Sequence, residues 1–175
     1  MGKIILNVVV FQAAWFACAY GASHGTPAIG VAGCAVALAV GLATASNWKA
    51  LALLSAALGL YGFIAESLMV SAGVIAYRSP GPIDGIAPFW IVALWMAFAA
   101  LVTTSLAWMR GRPILAVVLG GLVAPVSYWA AERFDALTLS EPLWTGLLAI
   151  ALTWAIAMPA ALRLSTWPIR WSGTP

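Results

Sequence analysis

Long apolar runs, separated by short polar segments, make up most of this chain of 175 residues. A run of about 18 or more apolar residues predicts a membrane-spanning helix, because about 20 residues at 1.5 Å each cross a hydrocarbon core about 30 Å thick. Such runs occupy residues 4–22, 27–45, 50–72, 88–109, 113–131 and 142–162. None alternates with the period of two that strands require. The sequence therefore predicts an all-α fold, a bundle of six transmembrane helices.

The polar segments between the runs are too short to form a second domain. The longest, residues 73–87, contains the turn sequences "SPGP" and "DG". Hydrophobic residues make up 64% of the chain and charged residues 7%, against about 25% charged in a soluble domain. We therefore predict a single membrane domain over residues 1–175.

The basic residues predict the orientation of this bundle. Lys and Arg concentrate in short cytoplasmic segments of membrane proteins. Only Arg78 and Arg133 fall on one side of the predicted bundle. The other side, which carries both termini, has Lys3, Lys49, Arg110, Arg112, Arg163 and Arg170. We expect both termini to be cytoplasmic.

Tryptophan supports the same orientation, because its ring prefers the headgroup level of a membrane. At the predicted inner interface lie Trp48, Trp108, Trp167 and Trp171, and at the outer one Trp90, Trp129 and Trp144. Trp15, Trp95 and Trp154 fall within the hydrocarbon. Their N–H groups would lack partners against lipid, so we expect these rings either to point inward to a partner or to pack as bulky side chains.

Glu66 is the only acid inside a predicted helix. The face it shares with Ser55, Gly59 and Gly62 is small, which is typical of a helix surface that packs against protein. A charge near the membrane centre costs about 2.5 to 3.5 kcal/mol and is usually paired or functional. We therefore expect a largely protonated Glu66 that is hydrogen bonded to Trp95 or Tyr128.

Ser67 and His24 complete a predicted outward-facing polar pocket around Glu66, Trp95 and Tyr128. Three roles for Glu66 stay open: a neutral packing residue, a proton or cation carrier, and a catalytic or ligand-orienting group. His24 is interpreted as a loop residue or as a base or ligand.

The first helix carries polar residues at Asn7 and Gln12 as well as Trp15, which favours a retained helix packed in a bundle over a cleaved signal peptide. One histidine makes a poor metal site, and Cys18 and Cys34 are expected to be buried thiols. The sequence contains no cofactor motif or catalytic motif, and no basic cluster that would indicate nucleic acid. We therefore predict neither a metal nor a cofactor.

The segments "LNVVVFQAAWFACAYGA", "ESLMVSAGV", "PFWIVALWMAFAALVTTSLAWM" and "APVSYWAAERFDAL" resemble a family of small bacterial inner-membrane proteins catalogued as domain of unknown function 2878. The resemblance covers nearly the whole chain and implies a multi-pass protein of the bacterial inner membrane. The positions that match the family's pattern are Asn7, Phe11, Gln12, Trp15, Glu66, Ser67, Pro88, Trp90, Trp95 and Ser105. Glu66 stands where the family more often has Asp.

The resemblance also implies a gene neighbourhood that includes genes for cyclopropane-fatty-acid-synthase-like enzymes. Such a neighbourhood suggests a link to membrane lipids or stress. Two hypotheses follow. The protein is a non-catalytic accessory or scaffold whose partners are membrane lipids and lipid-modifying enzymes, with no nucleic acid. Alternatively, it is a small transporter or a lipid-site enzyme with an outward-facing pocket around Glu66. A dry, fully hydrogen-bonded Glu66 would favour the first hypothesis, and a cavity that reaches Glu66 the second.

Overall fold

A computed structural model defines residues 2–166 as a bundle of six helices with one small antiparallel sheet. Trp167, Arg170 and Trp171, assigned above to the inner side, lie outside the described residues. The helices are α1 (Gly2–Ser23), α2 (Ala28–Thr44), α3 (Trp48–Ser71), α4 (Phe89–Thr103), α5 (Pro113–Arg133) and α6 (Leu143–Leu164). Strands β1 (Ile75–Tyr77) and β2 (Leu137–Leu139) form the sheet.

Local chemistry explains where several helices begin and end. Pro88 precedes α4 and Pro113 opens α5, positions at which the missing N–H of proline costs nothing. The Asn47 side chain caps α3 by accepting a hydrogen bond from the backbone N–H of Ala50 at 3.0 Å. Gly73 follows α3 with φ +69°, a conformation that favours glycine. The boundaries are thus set by residues that tolerate an unpaired or left-handed backbone.

The helix ends collect at two opposite ends of the bundle. At the strand end, the Ser79 hydroxyl donates to the Ala22 carbonyl at 2.7 Å, and β1 pairs with β2. At the N-terminal end, the Ser105 hydroxyl donates to the Asn7 Oδ1 at 2.8 Å, and the Arg110 Nε donates to the Ser165 Oγ at 3.2 Å. Consecutive helices therefore run in opposite directions.

Two features differ from the sequence-based expectation. The fourth apolar run, predicted to be helical to residue 109, leaves the α-helix after Thr103 and continues as a turn and a short 3-10 helix, Ala107–Met109. In this turn the Ser105 side chain reaches Asn7 of α1. The two strands were also not predicted, because each has only three residues and pairs with a segment about 60 positions away.

Four helices, Gly2–Ser23, Trp48–Ser71, Pro113–Arg133 and Leu143–Leu164, are long and apolar enough to cross a membrane. Helices α2 and α4 are shorter, and α4 is the central element, in contact with α1, α2, α3 and α6. The prediction of an all-helical membrane-type bundle is confirmed at this level.

Cys18 and Cys34 are free and buried, with their sulfur atoms 3.5 Å apart.

Candidate functional site

Glu66 lies at the centre of a sealed hydrogen-bond cluster. Its side chain is 0% exposed. The Trp95 indole N–H donates to the Oε1 at 2.8 Å, and the Tyr128 hydroxyl donates to the same oxygen. The Tyr77 hydroxyl donates to the Oε2 at 2.6 Å. Glu66 is therefore hydrogen bonded to both Trp95 and Tyr128, the partners expected from the sequence. We call Glu66 and its three donors the Glu66 cluster.

The small face of α3 brings Trp95 to Glu66. A Cβ atom on Gly62 would lie 2.2 Å from the Trp95 Cγ, so only glycine allows the indole to lie against α3 at this height. Two turns nearer the start of α3, the Ser55 hydroxyl donates to the Met96 carbonyl at 3.0 Å. Close packing of α3 on α4 therefore sets the position of the indole N–H.

Tyr77 is the member of the cluster that sequence reasoning missed. It lies at the end of β1, where pairing with Leu137 of β2 holds it over the end of α3. Burial raises the pKa of the Tyr77 hydroxyl well above the usual value for tyrosine, so the hydroxyl keeps its proton and can donate to Glu66. No local sequence signal marks this role, because it depends on the pairing of two distant loops.

An apolar cleft of about 440 Å³ lies beside the Glu66 cluster. Helix α1 packs on α2 and α4, and α5 packs on α6, which leaves a gap between α1 and α5. Trp95 and Tyr128 line this α1/α5 cleft, but Glu66 does not. Along α1 the lining runs from Ile4 to Ala19, roughly 22 Å at 1.5 Å per residue. The cavity thus reaches two partners of the acid without reaching the acid itself.

Besides Trp108 and Trp154, three polar side chains of the α1/α5 cleft have no hydrogen-bond partner among residues 2–166. These three, Gln12 and Trp15 of α1 and Ser127 of α5, we call the cleft patch. Gln12 is exposed, and Trp15 and Ser127 are half-buried. Gln12 and Trp15 are three residues apart, so they share one face of the helix.

The remaining predicted site residues lie elsewhere. Asn7 joins Ser105 at the N-terminal end of the bundle. The Ser67 hydroxyl accepts a hydrogen bond from the backbone N–H of Ala87 at 3.0 Å, which fixes the loop before α4. His24 is exposed, stacks on Tyr20 and shares a 2.9 Å hydrogen bond with Ser23. The structure does not join Ser67 or His24 to the Glu66 cluster.

The described residues contain no group of three or more His, Cys, Asp or Glu side chains that could hold a metal ion.

Trp154 stacks on Trp95 with the ring centroids 4.1 Å apart. Its buried indole N–H has no hydrogen-bond partner within residues 2–166. The arrangement around Glu66 can fix the relative positions of α3, α4, α5 and β1, while the cleft can hold an apolar guest.

The fold and its cluster define a helical bundle of membrane type that carries one sealed acid. The chain belongs to the family described as Protein of unknown function (DUF2878), whose model matches residues 4–160. No curated protein and no solved structure matches the chain.

Proposed function

We propose that this protein is a non-catalytic integral membrane protein that accommodates a lipid in the α1/α5 cleft. It would act as an accessory or scaffold for lipid-modifying enzymes in the bacterial inner membrane. The observation that carries the proposal is an apolar cleft of about 440 Å³ next to an acid that the protein itself fully hydrogen bonds. The bacterial inner membrane and the link to lipid metabolism rest on the family resemblance.

Exposed apolar side chains in the middle of the helices support burial of the bundle in a membrane. Leu60 and Leu122 are 62% and 64% exposed, which is costly in water and favourable against lipid tails. Basic side chains stack on tryptophan at both ends of the bundle, as Arg112 on Trp108 and Arg133 on Trp129. Such pairs suit the two headgroup layers. We place all six helices across the membrane, with the N-terminal end in the cytoplasm.

The sealed state of Glu66 argues for a structural role. A carboxyl group that carries protons or reacts with a substrate must be reached by water or by that substrate. Glu66 is 0% exposed, and protein donors contact both of its oxygens. The alternative of a transporter or lipid-site enzyme has less support, because Trp95 and Tyr128 line the cleft and Glu66 does not.

The dimensions of the cleft suit a lipid chain. Its length of roughly 22 Å along α1 exceeds the ~15 Å of one leaflet, half of a hydrocarbon core about 30 Å thick. No charged side chain lines it among the described residues. The exposed rim residues Val8 and Val123 leave it open to the surrounding lipid.

Reporter fusions test the orientation. A fusion at Pro175 should report the cytoplasm, and a fusion at Asp84 in the loop before α4 should report the opposite side, because the basic residues favour the N-terminal end inside. A periplasmic report from Pro175 would contradict the proposed topology.

Mass spectrometry of lipids retained by the purified protein tests the cleft. Val123→Trp places a large ring in the cleft lining and should reduce retained lipid several-fold. Leu122→Trp is the matched control, since Leu122 is the neighbouring exposed residue on α5 and does not line the cleft. Equal retention in both variants would contradict lipid binding there. Unchanged membrane lipids in a deletion strain would contradict the link to lipid metabolism.

A further inference from the structure

The cleft patch is a polar group of side chains in an otherwise apolar cavity. Gln12, Trp15 and Ser127 lie on both walls of the α1/α5 cleft and have no partner among residues 2–166. Against hydrocarbon, an amide or hydroxyl without a hydrogen-bond partner is energetically unfavourable. A guest that is only a saturated chain would leave that cost in place.

The depth of the patch narrows the choice of guest. Gln12 lies roughly 15 Å along α1 from Gly2, and Ser127 lies roughly 21 Å along α5 from Pro113, at 1.5 Å per residue. With all six helices across the membrane, both positions are within about 6 Å of the midplane. The ester carbonyls of a phospholipid lie about 15 Å from the midplane, at the edge of a core about 30 Å thick. A phospholipid in its normal position therefore brings methylene groups, and no oxygen, to the patch.

The chemistry of the patch favours an uncharged guest that accepts hydrogen bonds. The Gln12 amide offers two N–H donors, while Trp15 and Ser127 offer one each; only Gln12 and Ser127 also carry acceptor oxygens. No charged side chain lines the cleft within the described residues, so nothing there would compensate a carboxylate or a phosphate. Carbonyl oxygens on a neutral molecule match this excess of donors.

We propose that the α1/α5 cleft binds an isoprenoid quinone, with its carbonyl oxygens at the cleft patch and its tail along the gap between the helices. This inference rests on the proposed function, which already makes the cleft a lipid site. Phe11, which is half-buried and next to Gln12 in the sequence, also lines the cleft and gives it an aromatic ring that can pack against a quinone ring. A volume of about 440 Å³ accommodates the ring and the first part of the tail.

Quenching of tryptophan fluorescence measures this binding. The protein in nanodiscs of phosphatidylcholine is titrated with a decyl-substituted benzoquinone, and quenching should saturate at a defined quinone-to-protein ratio. Gln12→Leu, which keeps the size but removes the donors, should weaken binding about tenfold. Val8→Leu is the matched control on the same wall of the cleft and should bind like the wild type.

A second ligand separates recognition of oxygen from recognition of shape. Decylbenzene has the same tail and a flat ring but no carbonyl, and it should compete at least about tenfold less well than the quinone. Equal competition by decylbenzene, or equal quinone binding by Gln12→Leu, would overturn the quinone assignment.

Retained lipid distinguishes the failure of this inference from failure of the proposed function. If phospholipid is retained by the wild type and lost in Val123→Trp while no quinone binds, the quinone assignment is wrong and the lipid site stands. If neither quinone nor any other lipid is retained, both are wrong.

Discussion

The Glu66 cluster and the cleft patch are two polar groups in one apolar bundle, and they differ in how their hydrogen bonds are satisfied. Glu66 receives protein donors on both oxygens and is fully buried. Gln12 of the patch is exposed to the α1/α5 cleft and has no partner within residues 2–166. The protein itself supplies the hydrogen-bond partners of Glu66, whereas the partners of the cleft patch would come from a bound ligand.

The energetics of the two groups differ accordingly. In a buried network, each member offsets the desolvation cost of the others, so removal of a single member is expensive. In the cleft patch no protein bond is lost when a side chain is removed. Mutations in the Glu66 cluster should therefore change stability, and mutations in the cleft patch should change binding.

The largest effect is expected at Glu66. Glu66→Ala leaves Trp95, Tyr77 and Tyr128 without their acceptor and should lower the free energy of unfolding by about 2 to 4 kcal/mol. Glu66→Gln should cost about 1 kcal/mol, because its carbonyl can replace the Oε1 and the Tyr77 hydroxyl can accept from its amide. Thermal unfolding in detergent measures both. Equal losses would show that the negative charge itself is required.

A smaller effect is expected at Tyr77. Tyr77→Phe keeps the ring but removes one donor to Glu66, and it should cost about 1 kcal/mol in the same unfolding experiment. Tyr20→Phe serves as the control, because Tyr20 is exposed and its hydroxyl has no hydrogen bond among the described residues. Similar losses in the two variants would remove Tyr77 from the cluster.

The smallest effect on stability is expected at Gln12. Gln12→Leu removes an amide without a protein partner, so it should lower the free energy of unfolding by no more than about 0.5 kcal/mol. Asn7→Leu on the same helix removes the nearer of the two acceptors of the Ser105 hydroxyl and should cost about 1 kcal/mol. A loss at Gln12 as large as that at Asn7 would mean that the cleft patch contributes to the fold.

The apolar helices and two of the three partners of Glu66, Trp95 and Tyr128, were predictable from local patterns. Run length indicates a spanning helix, and the small face of α3 indicates which side packs against protein. The depth of Trp95 and Tyr128 along their own runs then places them near the acid. Each of these steps needs only the period and rise of a helix.

Features that depend on distant segments were not predictable. Tyr77 reaches Glu66 because β1 pairs with β2, and α4 ends early where Ser105 contacts Asn7, 98 residues away in sequence. The cleft arises because α1 and α5 each pack on other helices and leave a gap. Polar residues such as Gln12 suggested helix packing, but no local pattern reveals that a polar helix face lines a cleft.

The wide sequence separation within the Glu66 cluster has a consequence for how the protein is made. Trp95 follows Glu66 by 29 residues and Tyr128 by 62, so the part of α3 that carries Glu66 is made before either partner. A nascent chain that ends before α5 carries an acid with an incomplete set of partners, which is costly in a membrane. The Glu66 cluster can therefore close only after α5 has been translated, which makes the fifth helix the last part of the cluster to be added.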